Sequence, residues 1–373
     1  LLVLVSLAWT QTTGKIRGTV SSSDGQALAG ANVIVDGTSK GAATDADGKF
    51  TILSVEAGTY SVTVSYIGYQ SNTQSNVSVK VGLTTPINFS MQASSVEGEA
   101  VTIVGERRLI ETSATNSVRV IGDQEIRNSA SRSVAGMLDM QPGVNITNGR
   151  ISVRGSRAEE VAYTLDGAAI TDVINTGFEF SAIPEALAEI SVEAGGYGAH
   201  VGGANSGVIR QVLKTGSNEV GGDVRFETGD YGLTDLTATV SVPVGPVKTF
   251  IAITQNKVDD WDPTYYTDFE INNGEAMASA VSGVTPDGES VAIKFDSGGE
   301  NGVPHRGRET LKINGTAALD LGPLNLRFSS VIDNVKYEFN GSPIYHMFNN
   351  DRLGEAERNL SLFNGRANYF LNP

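Results

Sequence analysis

Cysteine is absent from this sequence, and histidine occurs only three times in 373 residues. Without thiols the chain has no disulfide, no cysteine nucleophile and no cysteine zinc site. His200, His305 and His346 are far apart and lack the paired spacing of a metal centre, so no metal or cofactor is expected. Basic residues are outnumbered, 27 Lys and Arg against 42 Asp and Glu, for a formal net charge of -15. That balance argues against binding a phosphate backbone, so nucleic acid is not an expected partner. Long apolar runs are missing as well. The opening stretch "LLVLVSLAWTQ" is too short to span a bilayer and ends in the small-residue pattern Ser6-Leu7-Ala8. Residues 1–12 therefore read as a signal-peptide remnant, and the chain as starting inside an exported precursor.

What the chain has in quantity is glycine, 43 residues, and short alternating segments. Over residues 13–93 these segments are broken by Asp24-Gly25, Asp36-Gly37 and Asp47-Gly48, each a tight-turn signal. In "TYSVTVSY", Tyr60, Val62, Val64 and Tyr66 share one face of a strand and Ser61, Thr63 and Ser65 the other. Several such strands without a helix predict a small Ig-like β-sandwich. "AGANVIVDGTSKGAATDADGKFTI" followed by "AGTYSVTVSYIGY" resembles the carboxypeptidase regulatory-like domain. Within it "DADGKF" reads as a hairpin turn; counted as a calcium loop from Asp45, it would put Lys49 and Phe50 in the fifth and sixth positions.

Residues 94–105 form a linker, and residues 106–219 change to mixed α/β character. Ser131 is expected to cap a helix with Val134, Met137 and Leu138 on its apolar face, stopped by Pro142-Gly143, and Pro184 to start a short helical turn. Glu159 and Glu160, read as strand neighbours, point to opposite faces and cannot converge on one bond, so no catalytic residue and no enzyme activity is expected. The glycine-rich "GGYGAHVGGANSG" runs into the strand-like "VIRQVL" and opens no helix, which excludes a dinucleotide loop. In order, "MLDMQPGVNI", "ISVRGSRAEEVAYTLDGAAI" and "GGYGAHVGGANSGVIRQVLKTG" resemble the plug domain of TonB-dependent outer-membrane receptors. The resemblance implies that the hairpin residues Arg154, Gly155, Arg157, Glu159, Glu160, Asp166 and Gly167 form a structural or gating motif where plug meets barrel wall.

From residue 220 to 373 the segments lengthen. "LKINGTAALDL" puts Leu311, Ile313, Gly315, Ala317, Leu319 and Leu321 on one face, against Lys312, Asn314, Thr316, Ala318 and Asp320. "LNLRFSSVID" repeats the pattern, with Arg327 and Asp333 on the polar side. This is the apolar-out, polar-in alternation of a transmembrane barrel strand. Arginine should be costly at Ile313 or Ala317 and tolerated at Asn314. Six strands are predicted, near 221–230, 233–243, 246–258, 308–321, 324–338 and 356–371. "VPVGPV" and "DLGPLN" fall where periplasmic turns belong, and the polar stretches 259–307 and 340–355 where extracellular loops belong. Phe226, Tyr337, Phe339, Tyr369 and Phe370 lie near strand ends, as interfacial aromatics do. Six strands cannot close around a plug, so the barrel reads as incomplete and truncated.

The fold class is therefore mainly β: a sandwich, an α/β plug and an incomplete antiparallel transmembrane barrel. By position, the β-prone run Val101-Thr102-Ile103-Val104 resembles the TonB box, a strand lent to a partner sheet; the plug's own first strand is the alternative. The resemblance implies a receptor in the outer membrane of a Gram-negative bacterium, with a periplasmic N-terminal domain. Its partners would be the TonB complex, outer-membrane lipid and an extracellular nutrient such as a siderophore, cobalamin, glycan or peptide. The plug hairpin departs from the SusC-like pattern, which leaves a surface lipoprotein partner open. A secreted or cell-surface β-rich adhesion or scaffold protein is the rival reading.

Overall fold

The computed structural model describes residues 12–94, 101–104, 118–147, 149–172, 177–178, 181–195, 204–259, 268–273, 281–284, 287–288, 290–296, 307–322, 324–339 and 354–369. The signal-like run, the three histidines, residues 196–203 of the glycine-rich loop and Phe370 lie outside these.

Strands β1 (Thr13–Ser22), β2 (Asn32–Val35), β3 (Gly41–Ala43), β4 (Lys49–Glu56), β5 (Gly58–Ser65), β6 (Asn72–Val79), β7 (Thr84–Pro86) and β8 (Phe89–Met91) make two sheets. One has the order β4-β1-β7, with β8 also on β1; the other runs β3-β2-β5-β6. Their facing sides bury Ile16, Val33, Ile52, Val62, Val64 and Phe89, with Tyr60 and Tyr66 packed at the margin, which is the alternation of "TYSVTVSY" turned into a core. Gly25, Gly37 and Gly48 adopt φ of 84, 76 and 73°, the left-handed turn conformation that Asp-Gly supplies. In "DADGKF" the Asp45 Oδ1 accepts from the backbone N–H of Asp47 and Lys49, at 3.0 and 2.8 Å, so that carboxylate closes the hairpin. A further strand, β9 (Val101–Val104), joins this second sheet beside β6.

The next module holds β10 (Val118–Gly122), α1 (Asp123–Arg127), α2 (Val134–Asp139), β11 (Val144–Thr147), β12 (Arg150–Val153), β13 (Val161–Leu165) and β14 (Ala168–Ala169). It continues with β15 (Thr171–Asp172), β16 (Gly177–Phe178), β17 (Leu187–Glu193) and β18 (Gly207–Leu213). Its central sheet has the order β10-β17-β18-β13-β14, with β13 and β18 parallel. Helix α2 buries Val134, Met137 and Leu138 as expected, but its cap is Ser133, whose side chain accepts from Gly136 N–H at 3.0 Å. Ser131 stands two residues too early to reach that donor. Pro184 opens a 3-10 turn over Pro184–Ala186. Glu159 and Glu160 also lie in a 3-10 turn, Ala158–Glu160, and not on a strand: Glu160 Oε2 accepts from Arg157 N–H at 3.4 Å and closes the turn on itself.

The last module comprises β19 (Gly221–Thr228), β20 (Thr234–Val244), β21 (Val247–Val258), β22 (Asp268–Asn273), β23 (Val281–Val284) and β24 (Ser290–Asp296). Then come β25 (Arg308–Leu321), β26 (Leu324–Phe339) and β27 (Gly354–Tyr369). The six strands β19-β20-β21-β25-β26-β27 pair in chain order, all antiparallel, within two residues of the predicted bounds. The stretch read as a long outer loop contributes a separate three-stranded sheet, β22-β24-β23.

This six-stranded sheet is largely polar where it is buried, Phe250, Ala252, Val331 and Val335 apart, and largely apolar where it is exposed. Thr237, Thr310, Asn314, Thr316, Arg327, Ser329 and Asp333 are buried, whereas Phe226, Leu236, Ile251, Ile253, Phe328 and Phe363 are exposed. A soluble sandwich packs the other way round, because burying apolar surface is what holds it together. The register makes the outer face a series of rows. Ile253, Ile313 and Ile332 form one, and Thr249, Ala317, Phe328 and Gly365 another. The apolar rows stop at Lys257, Glu309, Lys336 and Glu357, four exposed charges of alternating sign on neighbouring strands. From Leu311 to Leu321 the outer face runs through a length that a tilted strand needs to cross a bilayer, ~9 to 11 residues.

Two expectations require correction. Tyr337 shares the parity of Asp333 and Val335, the inward face, so it does not belong to an outer aromatic girdle; Phe226 and Tyr369, on the outward parity, do fit one, and the side chain of Phe339 lies outside the described residues. Asn314 is not a water-facing position that tolerates arginine. It is 1% exposed, and its Oδ1 accepts from Ile183 N–H at 2.7 Å, because the plug fills that side of the sheet.

Candidate functional site

The site is the seam at which the three modules meet, and its centre is Asp166. Asp166 and Gly167 form the turn between β13 and β14 with φ of 48 and 88°, a conformation that Asp tolerates and Gly adopts freely. The turn carries the Asp166 carboxylate to the inner face of β26. There Arg327 donates twice, Nε to Oδ2 at 2.9 Å and Nη2 to Oδ1 at 3.1 Å. This is the bidentate fork that matches a planar guanidinium to a carboxylate. The same guanidinium donates to Leu213 O at 2.8 Å and to Thr215 Oγ1, and reaches Glu56 Oε2 of the sandwich at 3.3 Å. Asn364 Nδ2 on β27 donates to Asp166 O at 2.8 Å. One buried arginine thus ties barrel strand, plug and sandwich together. Burial pushes the Asp166 carboxyl up, but the charge and hydrogen bonds of Arg327 outweigh it and hold the group below the ordinary carboxylate range.

Around this centre, further polar contacts join plug to sheet. Thr316 Oγ1 donates to Lys214 O at 2.7 Å, Lys312 Nζ to Ser181 O at 3.3 Å, and Arg225 pairs with Glu185 at 3.1 Å. Apolar contact supplements them: Phe250, Ala252 and Val331 of the sheet belong to the plug's own core cluster. The motif residues divide accordingly. Asp166 and Gly167 lie at the seam. Arg154, Gly155, Arg157 and Glu159 are exposed, and Glu160 is half-buried with its carbonyl accepting from Asn205 and Ser206 N–H at 2.9 and 3.1 Å. Arg154 has a positive φ of 54° and its N–H donates to Gly143 O at 2.7 Å, so it shapes the loop after β12. Arg327, Asn314 and Glu56 were not singled out as site residues. The only sequence signal for Arg327 is a charge at the middle of an inward-facing stripe.

The sandwich docks on the other side of the same seam. Ala57, Val81 and Val212 form a small apolar cluster there. Gly37 O, in the Asp36-Gly37 turn, accepts from Asn218 Nδ2 at 2.9 Å and from Lys248 Nζ, and Ser39 donates to Asp320. A cleft of about 650 Å³ opens between the modules, lined by Lys40, Tyr60, Asp123, Lys214, Asn218 and Lys248.

Beside it the carboxylate of Glu189, 2% exposed, accepts from Val81 N–H at 3.3 Å. Burial pushes the Glu189 carboxyl up to about 7, against the pull of the Val81 N–H and of the Lys80 and Arg210 charges. A carboxyl with a raised folded-state pKa stabilises the fold fully below its unfolded value, near 4.5, and loses that contribution as pH rises through about 7. Denaturant unfolding of the detergent-solubilised protein should therefore weaken between pH 4.5 and 8, by on the order of 3 kcal/mol in full. Glu189→Gln should flatten the profile, and an unchanged slope in that variant would assign the effect elsewhere.

Val101–Val104 takes no place in the central plug sheet, whose first described strand is β10. As β9 it pairs in parallel with β6, Asn72 opposite Val101 through Ser75 opposite Val104. A β-prone run fits any open sheet edge, and the sandwich offers one.

Comparison with known proteins places these modules. Residues 15–92 match the family model of the carboxypeptidase regulatory-like domain, and residues 111–209 that of the TonB-dependent receptor plug domain. The TonB-dependent transporter Oar of Myxococcus xanthus is 28% identical over 195 residues, 48% of this chain and 18% of its own length. TonB-dependent receptor P26 of Formosa agariphila is 31% identical over 219 residues, 54% of this chain and 21% of its own length. The chain thus spans about a fifth of the length of these curated relatives. Among solved structures, the FrpB iron transporter of Neisseria meningitidis aligns with a TM-score of 0.46 at 16% identity, over 67% of this chain and 37% of that one. The ferric-catecholate import receptor Fiu of E. coli K12 aligns with a TM-score of 0.44 at 17% identity, over 61% and 28%. A region matched as a carboxypeptidase regulatory-like domain, a region matched as a TonB-dependent receptor plug domain and an antiparallel six-stranded sheet follow one another here in a single chain, which is similar over about half its length to curated TonB-dependent transporters and receptors.

Proposed function

We propose that this protein is an outer-membrane receptor that takes up a scarce nutrient, with the periplasmic TonB complex pulling on residues 101–104 to loosen the plug. The observation that carries the reading is the six-stranded sheet, with its apolar face outward and its polar face bonded to a plug. Polar fastening suits a part that must move. An ion pair or hydrogen bond gives way over a small displacement and can re-form, whereas a continuous apolar interface has to be exposed wholesale. Asp166 and Gly167 are the gating part of the motif, and Arg154, Gly155, Arg157, Glu159 and Glu160 its supporting loop. The sandwich stands on the periplasmic side. An adhesion or scaffold protein would have no use for an exposed apolar belt ending at a charged row. Siderophore, cobalamin, glycan and peptide remain the cargo classes.

Coupling through strand addition depends on backbone donors, so Ile103→Pro should remove a ladder hydrogen bond while Ile103→Ala keeps it. In cells carrying the full-length protein, a ferric siderophore, cyanocobalamin, an oligosaccharide and an oligopeptide serve as uptake probes. For the probe that is transported, Ile103→Pro should cut uptake at least tenfold and leave surface binding intact. Unchanged uptake would remove the coupling role from this run.

A further inference from the structure

We propose that the sandwich domain is the resting dock of the coupling run: the edge of β6 holds residues 101–104 as its neighbouring strand, and TonB must take them from it. The inference rests on reading 101–104 as the coupling segment. Its own support is the pairing. The carboxypeptidase regulatory-like match ends at residue 92, and the eight strands within it already form both sheets of the sandwich. Residues 101–104 lie beyond that match, in the stretch leading to the plug, yet they complete the sandwich sheet as β3-β2-β5-β6-β9 and take no place in the plug sheet β10-β17-β18-β13-β14. The dock is the backbone edge of Asn72, Thr73, Gln74 and Ser75, four residues in parallel register with Val101, Thr102, Ile103 and Val104. An uncovered β6 would be an open edge, which accepts any extended strand.

The consequence is mechanical. A strand zipped along β6 passes tension to the sandwich before the plug, because a ladder pulled along its length resists with its hydrogen bonds together. A partner strand that needs the run free must also compete with a neighbour that is tethered to it and always at hand. The sandwich thereby sets how often the run is available, and the Glu56 and Glu189 contacts keep it seated against the plug and barrel it controls.

The test uses an engineered disulfide: residues 1–373 contain no cysteine of their own, and any elsewhere in the full-length protein is replaced by serine. Neighbouring strands lie ~4.8 Å apart, within the ~4.4 to 6.8 Å between Cα atoms that a disulfide spans. Ser75→Cys combined with Val104→Cys in the full-length protein should therefore oxidise to a disulfide in the resting receptor. The probe is the purified periplasmic domain of TonB. It should bind the oxidised receptor at least tenfold more weakly than the same receptor after reduction, while each single-cysteine variant shows no dependence on reductant. Failure of the disulfide to form, or equal TonB binding in both redox states, would overturn the dock. Ile103→Pro without cysteines separates the two readings. If it abolishes TonB binding while the locked receptor still binds, the coupling run stands and the dock falls. If it leaves TonB binding intact, the coupling reading falls, and the dock with it.

Discussion

Replacing Arg327 with methionine should destabilise the docked plug by about 3 to 5 kcal/mol, the cost of leaving one partner of a buried ion pair without the other. Asp166 is 2% exposed and Arg327 6%, so neither can turn to water when its partner is lost. Asp166→Asn should cost a similar amount, since it leaves the guanidinium with Glu56 as its remaining carboxylate. The double variant should recover much of the loss, because a buried pair replaced as a unit is often nearly neutral. A double-mutant cycle on plug release, read by denaturant titration or by the force needed to extract the plug, measures this coupling. Additive single effects would make both residues bystanders, and the plug would then be held by the other contacts of the seam.

Arginine placed at Ile313 should cost ~2 to 4 kcal/mol near the bilayer midplane, and at Asn359 ~0 to 1 kcal/mol near the interface. Both positions lie on the outward face. Ile313 sits between Ile253 and Ile332, whereas Asn359 is next to the charged row at Glu357. The pair tests depth on one face. Asn314→Arg is no control, since it would disrupt the Ile183 contact and the plug with it. Folding yields into lipid vesicles, compared for the two variants, should show the difference, and equal costs would argue against a membrane-spanning sheet.

The six long strands were legible because each carries its environment in alternate residues. Arg327, Ser329, Val331 and Asp333 read as one face, and Leu326, Phe328 and Ile332 as the other, before any partner is known. The sandwich was legible for the same reason, helped by three Asp-Gly turns. What the sequence does not carry is the partner of each polar residue. Arg327 meets an aspartate 161 positions earlier and a glutamate 271 positions earlier, and no local pattern encodes such a pairing. The residues of the motif "SRAEEVAYTLDG", read together as one unit where plug meets barrel wall, divide for a related reason. Its conspicuous charges, Arg157, Glu159 and Glu160, shape a surface turn, while Asp166, named with them and also part of a turn, is the buried partner of the arginine. Val101–Val104 was legible as a strand, but a four-residue β-prone run does not say which sheet it joins.

The central claim is that residues 308–321 cross a membrane with their odd-numbered side chains in lipid. Spin labels attached through single cysteines along this strand, in the full-length protein reconstituted into vesicles, test it directly by their collisions with oxygen, which dissolves in lipid, and with a water-soluble nickel chelate. The account predicts oxygen accessibility that alternates with period two, high at Leu311, Ile313, Gly315, Ala317 and Leu319, with the nickel chelate excluded there and neither reagent reaching Asn314 or Thr316. Free access of the nickel chelate to Ile313 and Ala317 would contradict it, and would place this face in water.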